Sequence, residues 1–157
     1  MLFFMSFILF YQVGQAADSL EIEAESAILV DGNSGTILYE KNADERLSPA
    51  SMTKMMTEYL ILEAITNGDI TGDQHVPISD YAYTISQKYP ELSNVPLLKE
   101  ETYTVEELYK AMAIYSANGA TIALTELVSG SEKAFVEEMN AKARDFGLSE
   151  YEFFNST

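Results

Sequence analysis

The chain contains no cysteine, which removes disulfide bonds, zinc–thiolate centres and a cysteine nucleophile together, while leaving the redox compartment open. It has one histidine, His75. A Ser-His-Asp triad would have to use it, and its setting between Gln74 and Val76, close to Pro77, reads as a loop or the start of a strand. Positive charge is scarce: 9 Lys and Arg stand against 25 Asp and Glu, a formal net charge of −16. Such a surface repels phosphate backbones and anionic headgroups, so nucleic acid is not an expected partner, and small or cationic partners remain open. Charge of either sign is missing from the stretch Met1 to Ala17. The apolar run Met1 to Tyr11 is too short for a comfortable membrane span. Followed by Gly14, Ala16 and Ala17, it suits a secretory signal cleaved near Ala16. The expected organisation is therefore a signal over 1–16 and one domain over 17–157, with a buried N-terminal strand or helix as the alternative to the signal. No Lys or Arg precedes the apolar core, a pattern compatible with a start upstream of Met1.

Against these absences stands one dense chemical signal, Ser51-Met52-Thr53-Lys54, following Pro49-Ala50 and opening a long apolar-periodic run. Residues three apart share a helix face, so the Lys54 amine is placed to reach the Ser51 hydroxyl. A serine becomes a strong nucleophile when an adjacent base takes its proton, and a lysine can be that base only when desolvation or nearby positive charge keeps it neutral. The positive end of a helix dipole at the same place favours both the neutral amine and a developing oxyanion. By itself Ser-x-x-Lys also describes a capping serine and a surface lysine.

The flanking pattern is hairpin first, helices after. Ala27–Val30 and Thr36–Tyr39 read as strands joined by the turn residues Asp31-Gly32-Asn33-Ser34-Gly35. The alternation Glu21, Glu23, Glu25 with Ile22 and Ala24 reads as a solvated strand face. A helix is expected from Ser51 to about Ile65, ending before Asn67-Gly68, and a short one from Ser79. Thr104-Val105-Glu106-Glu107 is a capping box opening a helix that stops near Ser116. Asn118-Gly119 is read as the break before another helix over Ala120–Val128, and Ser131 as the cap of a last one with Phe135, Met139 and Ala143 on one face and Gly147 at its end. The fold class is α+β. Ser116-Ala117-Asn118 falls in the break between two helices, where it either presents side chains to a cleft or supplies turn geometry.

With these segments in order, the stretch Ser26–Thr157 resembles the front part of the penicillin-binding serine D-alanyl-D-alanine carboxypeptidases of bacterial cell-wall metabolism. The likeness is carried by Ala27-Ile28-Leu29-Val30-Asp31, Ser34-Gly35-Thr36-Ile37-Leu38-Tyr39, Pro49-Ala50-Ser51-Met52-Thr53-Lys54, Thr104-Val105-Glu106-Glu107-Leu108, Ser116-Ala117-Asn118 with Ala120, Phe135-Val136-Glu137-Glu138-Met139-Asn140 and Phe154-Asn155-Ser156-Thr157. The resemblance implies a β-lactamase/DD-peptidase-like fold, with helices packed on an antiparallel sheet, and no metal or cofactor. It implies Ser51 as the acylated nucleophile and Lys54 as general base. Ser116 would relay a proton to the leaving group, and Asn118 would hold the substrate amide or orient Lys54. Peptidoglycan stem peptides ending in D-Ala-D-Ala would be the substrate, β-lactams the inhibitors, and the extracytoplasmic face of the membrane or the cell wall the place. A β-lactamase on the same scaffold and an inactive binder of wall peptides are the alternatives.

Two departures accompany the likeness. Gly119 stands where many relatives carry an acidic residue. The family's third motif, Lys-Thr-Gly or Lys-Ser-Gly, is absent, so the chain reads as truncated before the strand that bears it, and as inactive and poorly stable alone. Glu152, three residues before Asn155, is reminiscent of the deacylating glutamate loop of class A β-lactamases, but its spacing is off by one and its place between Tyr151 and Phe153 reads as a strand.

Overall fold

The computed structural model describes residues 21–88 and 93–157, so the expected signal over 1–16 lies outside the described residues. They form two compact units that divide after Leu47. The first contains an antiparallel hairpin, β1 (Ala27–Val30) and β2 (Ile37–Lys41), in which Ala27 faces Lys41 and Leu29 faces Tyr39, with an irregularity between Leu29 and Val30. Its turn is built as the residue types dictate: Asp31 Oδ1 accepts hydrogen bonds from the Ser34 amide at 2.7 Å and the Ser34 hydroxyl at 2.6 Å, and Gly35 takes a φ of 70°. These bonds to the ionised form hold the Asp31 carboxyl below its ordinary pKa. Residues 21–25 are not a strand. Two of their carbonyls are bonded to side chains instead of a ladder, Lys41 Nζ donating to Ile22 O and Asn42 Nδ2 to Glu25 O.

The second unit, Ser48–Thr157, is helical: α1 (Lys54–Asn67), α2 (Asp80–Lys88), α3 (Val105–Tyr115), α4 (Asn118–Ser129) and α5 (Glu132–Asp145), with a two-residue ladder of β3 (His75–Val76) and β4 (Tyr103–Thr104) beside them. Its centre is α4, which packs against α1, α2, α3 and α5. Every residue from Gly119 to Thr125 is buried. A helix apolar around most of its circumference belongs inside a core, and Gly119, Ala120 and Ala123 are small enough to let the surrounding helices approach. Leu60, Ile61, Leu108, Met112, Phe135 and Met139 close around it.

Local signals set the helix ends. Thr104 Oγ1 accepts from the Glu107 amide while the Glu107 carboxylate accepts from the Thr104 amide, completing the capping box of α3. Ser131 caps α5 through the Ala134 amide at 3.2 Å, and Gly68, with φ 81°, closes α1. On α1 one face buries Lys54, Thr57, Leu60, Ile61 and Ala64, while Met55, Tyr59 and Leu62, with Met52 from the turn before the helix, form an exposed apolar stripe on the other. Beside that stripe is a groove of about 360 Å³, lined by Pro49, Met52, Met56, Tyr59, Phe146 and Phe153. No helix among the described residues is long and apolar enough to cross a membrane.

Candidate active site

Ser51 does not open the α-helix as predicted. It lies in a 3-10 turn, Ala50–Thr53, and the α-helix begins only at Lys54. The cause is the backbone at Ala50, whose φ of 48° is left-handed, followed by tight bonds from the Met52 amide to the Pro49 carbonyl and from the Lys54 amide to the Ser51 carbonyl. In a 3-10 turn, with about three residues per turn, side chains at i and i+3 eclipse one another. A 3-10 turn therefore sets positions 51 and 54 on the same side of the backbone. Ser51 is exposed and Lys54 is buried.

Lys54 Nζ donates to Asn118 Oδ1 at 2.7 Å, a contact across 64 residues of chain. Because an ammonium can only donate, the Asn118 carbonyl oxygen must face it, which leaves the amide nitrogen as a donor for something else. Burial pushes the Lys54 amine below its ordinary pKa of 10.5, the direction a general base needs. Ser116 sits at the C-cap of α3 with a left-handed φ of 54°, and its hydroxyl is buried without a hydrogen-bond partner. A buried hydroxyl without a partner is costly, and such atoms collect where a ligand or a reacting group completes them. Of the three non-glycine residues at positive φ among the described residues, Ala50 and Ser116 belong to this neighbourhood, and strained backbone of this kind gathers at sites that must aim side chains. The structure thus brings Lys54 and Asn118 into contact, with Ser116 and Ser51 on the segments that carry them.

The predicted break at Asn118-Gly119 is a correction: both residues are the first turn of α4, and the break is Ser116-Ala117. Ala117 is the N-cap and has no side-chain acceptor to offer. The first amides of α4 are satisfied from elsewhere, the Gly119 amide donating to Asn94 Oδ1 at 3.0 Å and the Asn118 amide to the Ser93 carbonyl at 3.3 Å. Asn94 Nδ2 in turn donates to the Ile85 carbonyl of α2 at 3.0 Å. Sequence reasoning missed Asn94; the available signal was Ala117, a residue unable to cap the helix it precedes.

Gly119 has a packing explanation. A Cβ there would stand 2.5 Å from Ser86 Cβ and 3.0 Å from the Ala82 carbonyl, so α2 occupies the space a side chain would need. Gly119→Ala gains helix propensity of about 1 kcal/mol but forces the helices apart, a cost of about 1–3 kcal/mol. The expected outcome is a lower denaturant midpoint at unchanged slope, and a stabilised variant would refute the close packing.

Other sequence candidates lie elsewhere. His75 is an exposed strand residue paired with Thr104. Glu152 is exposed on an irregular segment, not a strand; Asn140 secures that segment, accepting from the Phe153 amide and donating to its carbonyl, and Tyr151 bonds the Asn140 carbonyl. Among the described residues no cluster of His, Asp or Glu could hold a metal ion.

The family profile described as D-alanyl-D-alanine carboxypeptidase matches residues 12–157. The D-alanyl-D-alanine carboxypeptidase DacF of Bacillus subtilis is 42% identical over 146 residues, which is 93% of this chain and 36% of that protein. Penicillin-binding protein 3 of Streptococcus pneumoniae, described as a peptidoglycan synthesis regulatory factor, superposes with a TM-score of 0.82 at 46% identity, covering 87% of this chain and 38% of that one. Penicillin-binding protein D2 of Listeria monocytogenes in its ampicillin-bound form gives 0.70 at 30% identity, covering 89% and 54%. The chain spans about a third of the length of the curated relatives it matches.

Proposed function

Because the chain belongs to the D-alanyl-D-alanine carboxypeptidase family, we propose that it carries the nucleophile and base of a serine enzyme that trims peptidoglycan stem peptides ending in D-Ala-D-Ala. The observation that carries this reading is the buried Lys54 amine held 2.7 Å from Asn118 at the head of the helix whose preceding turn bears Ser51. Ser51 Oγ attacks the carbonyl carbon of the penultimate D-alanine, and neutral Lys54 accepts the hydroxyl proton. The carbonyl oxygen becomes an oxyanion facing the Ser51 amide. As the C–N bond breaks, Ser116 passes its proton to the departing nitrogen and regains one from the Lys54 ammonium, free D-alanine leaves, and the acyl group remains as an ester on Ser51. Water attacks that ester, releasing the shortened peptide and returning the proton to serine. Asn118 is divided between two tasks, its oxygen orienting Lys54 and its amide nitrogen holding the substrate carbonyl. A β-lactam enters the same path, but its ring-opened acyl group has no leaving fragment to clear the cleft.

The reading extends to place: residues 1–16 act as the secretory signal and 17–157 belong to the catalytic domain, which works at the extracytoplasmic face of the membrane or in the wall, where the stem peptides are. Its test separates two chemistries. With the full-length protein, D-alanine is expected to be released from a tripeptide ending in D-Ala-D-Ala over many turnovers, while penicillin yields a long-lived adduct. Rapid multiple-turnover hydrolysis of penicillin with no D-alanine released would replace the carboxypeptidase by a β-lactamase.

A further inference from the structure

The loop after α2 touches the head of α4 where Asn118 sits, and its contacts form a continuous chain. The Ile85 carbonyl near the end of α2 accepts from Asn94 Nδ2, Asn94 Oδ1 accepts from the Gly119 amide, and the neighbouring Ser93 carbonyl accepts from the Asn118 amide. Both ends of the Asn94 amide are used, so its orientation is fixed by what it bonds. The same loop is bound to α2 again through the Leu97 amide on Ser86 Oγ at 3.1 Å and Gln87 Nε2 on the Leu97 carbonyl at 2.9 Å. Gly119 is bare on this side, letting α2 close to within a side chain's width.

A helix whose own N-cap is alanine leaves its first amides without a local acceptor. We propose that Asn94 caps α4 in trans and is thereby a positioning residue for the reaction, fixing the first turn of α4 so that the Asn118 side chain meets the Lys54 amine. This inference rests on the proposed roles of Ser51 and Lys54. Asn94 touches neither residue; it acts through Asn118. Any side chain lacking an acceptor at position 94 frees the Gly119 amide, and the first turn of α4 frays away from Lys54.

The experiment uses the full-length protein, isotope-labelled for NMR, as wild type, Asn94→Ala and Asn94→Asp. In Asn94→Ala, amide exchange at Asn118 and Gly119 is expected to rise roughly tenfold relative to Leu124 in the middle of the same helix, the consequence of one lost hydrogen bond at a helix end. The Lys54 side-chain titration midpoint is expected to fall, because the ammonium loses its acceptor, and a merely structural role would not move it. Asn94→Asp loses the donor to the Ile85 carbonyl but keeps an acceptor at the helix N-terminus, where negative charge is favoured, and should protect Gly119 above the level in Asn94→Ala. Thr104→Ala, which removes the α3 cap at similar cost in stability, should leave the Lys54 midpoint alone. Unchanged exchange at Gly119 or an unchanged Lys54 midpoint in Asn94→Ala would overturn the assignment. Should that variant unfold, seen as lost protection at Leu124, Asn94→Asp decides: a protected Gly119 amide supports the cap, an unprotected one refutes it. Failure of wild type to form a penicillin adduct on Ser51 would strike the reading of Ser51, while the exchange and titration results would still decide the role of Asn94.

Discussion

Penicillin is expected to add one covalent equivalent to the full-length protein, on Ser51, and Ser51→Ala is expected to lower acylation by about 10⁴-fold or more, since removing the nucleophile of a coupled catalytic group costs on that scale. Ser51 is the exposed serine of the cluster, presented on the 3-10 turn directly before a buried lysine. Ser116 is the competing candidate, but its hydroxyl is shielded from solvent and its backbone is held at a left-handed φ of 54°. Intact-mass measurement followed by peptide mapping decides the matter. An adduct on Ser116, or one that survives in Ser51→Ala, would mean that the nucleophile has been misassigned.

The second large effect concerns the base. Lys54→Arg keeps the positive charge but cannot give up its proton at accessible pH, so it should lose acylation as fully as Lys54→Ala, by about 10²–10⁴-fold. If Lys54 acts only as a fixed charge, the arginine variant should instead react at near wild-type rate. The pH dependence follows from burial. Acylation should rise with pH as the Lys54 amine loses its proton, with a midpoint below the ordinary 10.5, and then level off. The same depression has a stability consequence of definite sign. Below the folded-state pKa the buried ammonium destabilises the fold, and that penalty fades as pH rises from the folded value toward 10.5. Following penicillin acylation and denaturant midpoints over the same pH series tests both statements.

The parts of this molecule that were legible in its sequence are those whose causes are local. Thr104 and Glu107 announce the α3 cap within four residues, and Phe135, Met139 and Ala143 recur at helical spacing and are buried on α5. The pairing of β1 with β2 follows from two short apolar runs and the turn-rich link between them, and the α+β class from a hairpin followed by helices. What was misread depends on partners far along the chain. Nothing next to Ala50 signals a φ of 48°, so the 3-10 turn under Ser51 was taken for the first turn of an α-helix. The start of α4 was placed two residues late because Asn118 and Gly119 look like a breaker until Ser93 and Asn94 supply the missing acceptors. The β3–β4 ladder has only two residues on each side, too few to leave an alternation. The family resemblance implies two roles for Asn118, holding the substrate amide or orienting Lys54, and the 2.7 Å bond supports the orienting role.

The separation of Lys54 from Asn118 by 64 residues also orders events in time. A chain made from its N-terminus delivers Ser51 and Lys54 together, within one turn, long before residue 118 exists. During that interval α1 has no α4 to pack on, and its lysine is an ordinary hydrated ammonium unable to act as a base. Closing so long a loop costs entropy before any contact repays it, so the Lys54–Asn118 contact is made at a late step of assembly. On the proposed roles of Ser51 and Lys54, the serine of a growing chain would stay inert toward esters and strained amides until the helical unit has closed, and reactivity toward penicillin would report that α4 has docked on α1.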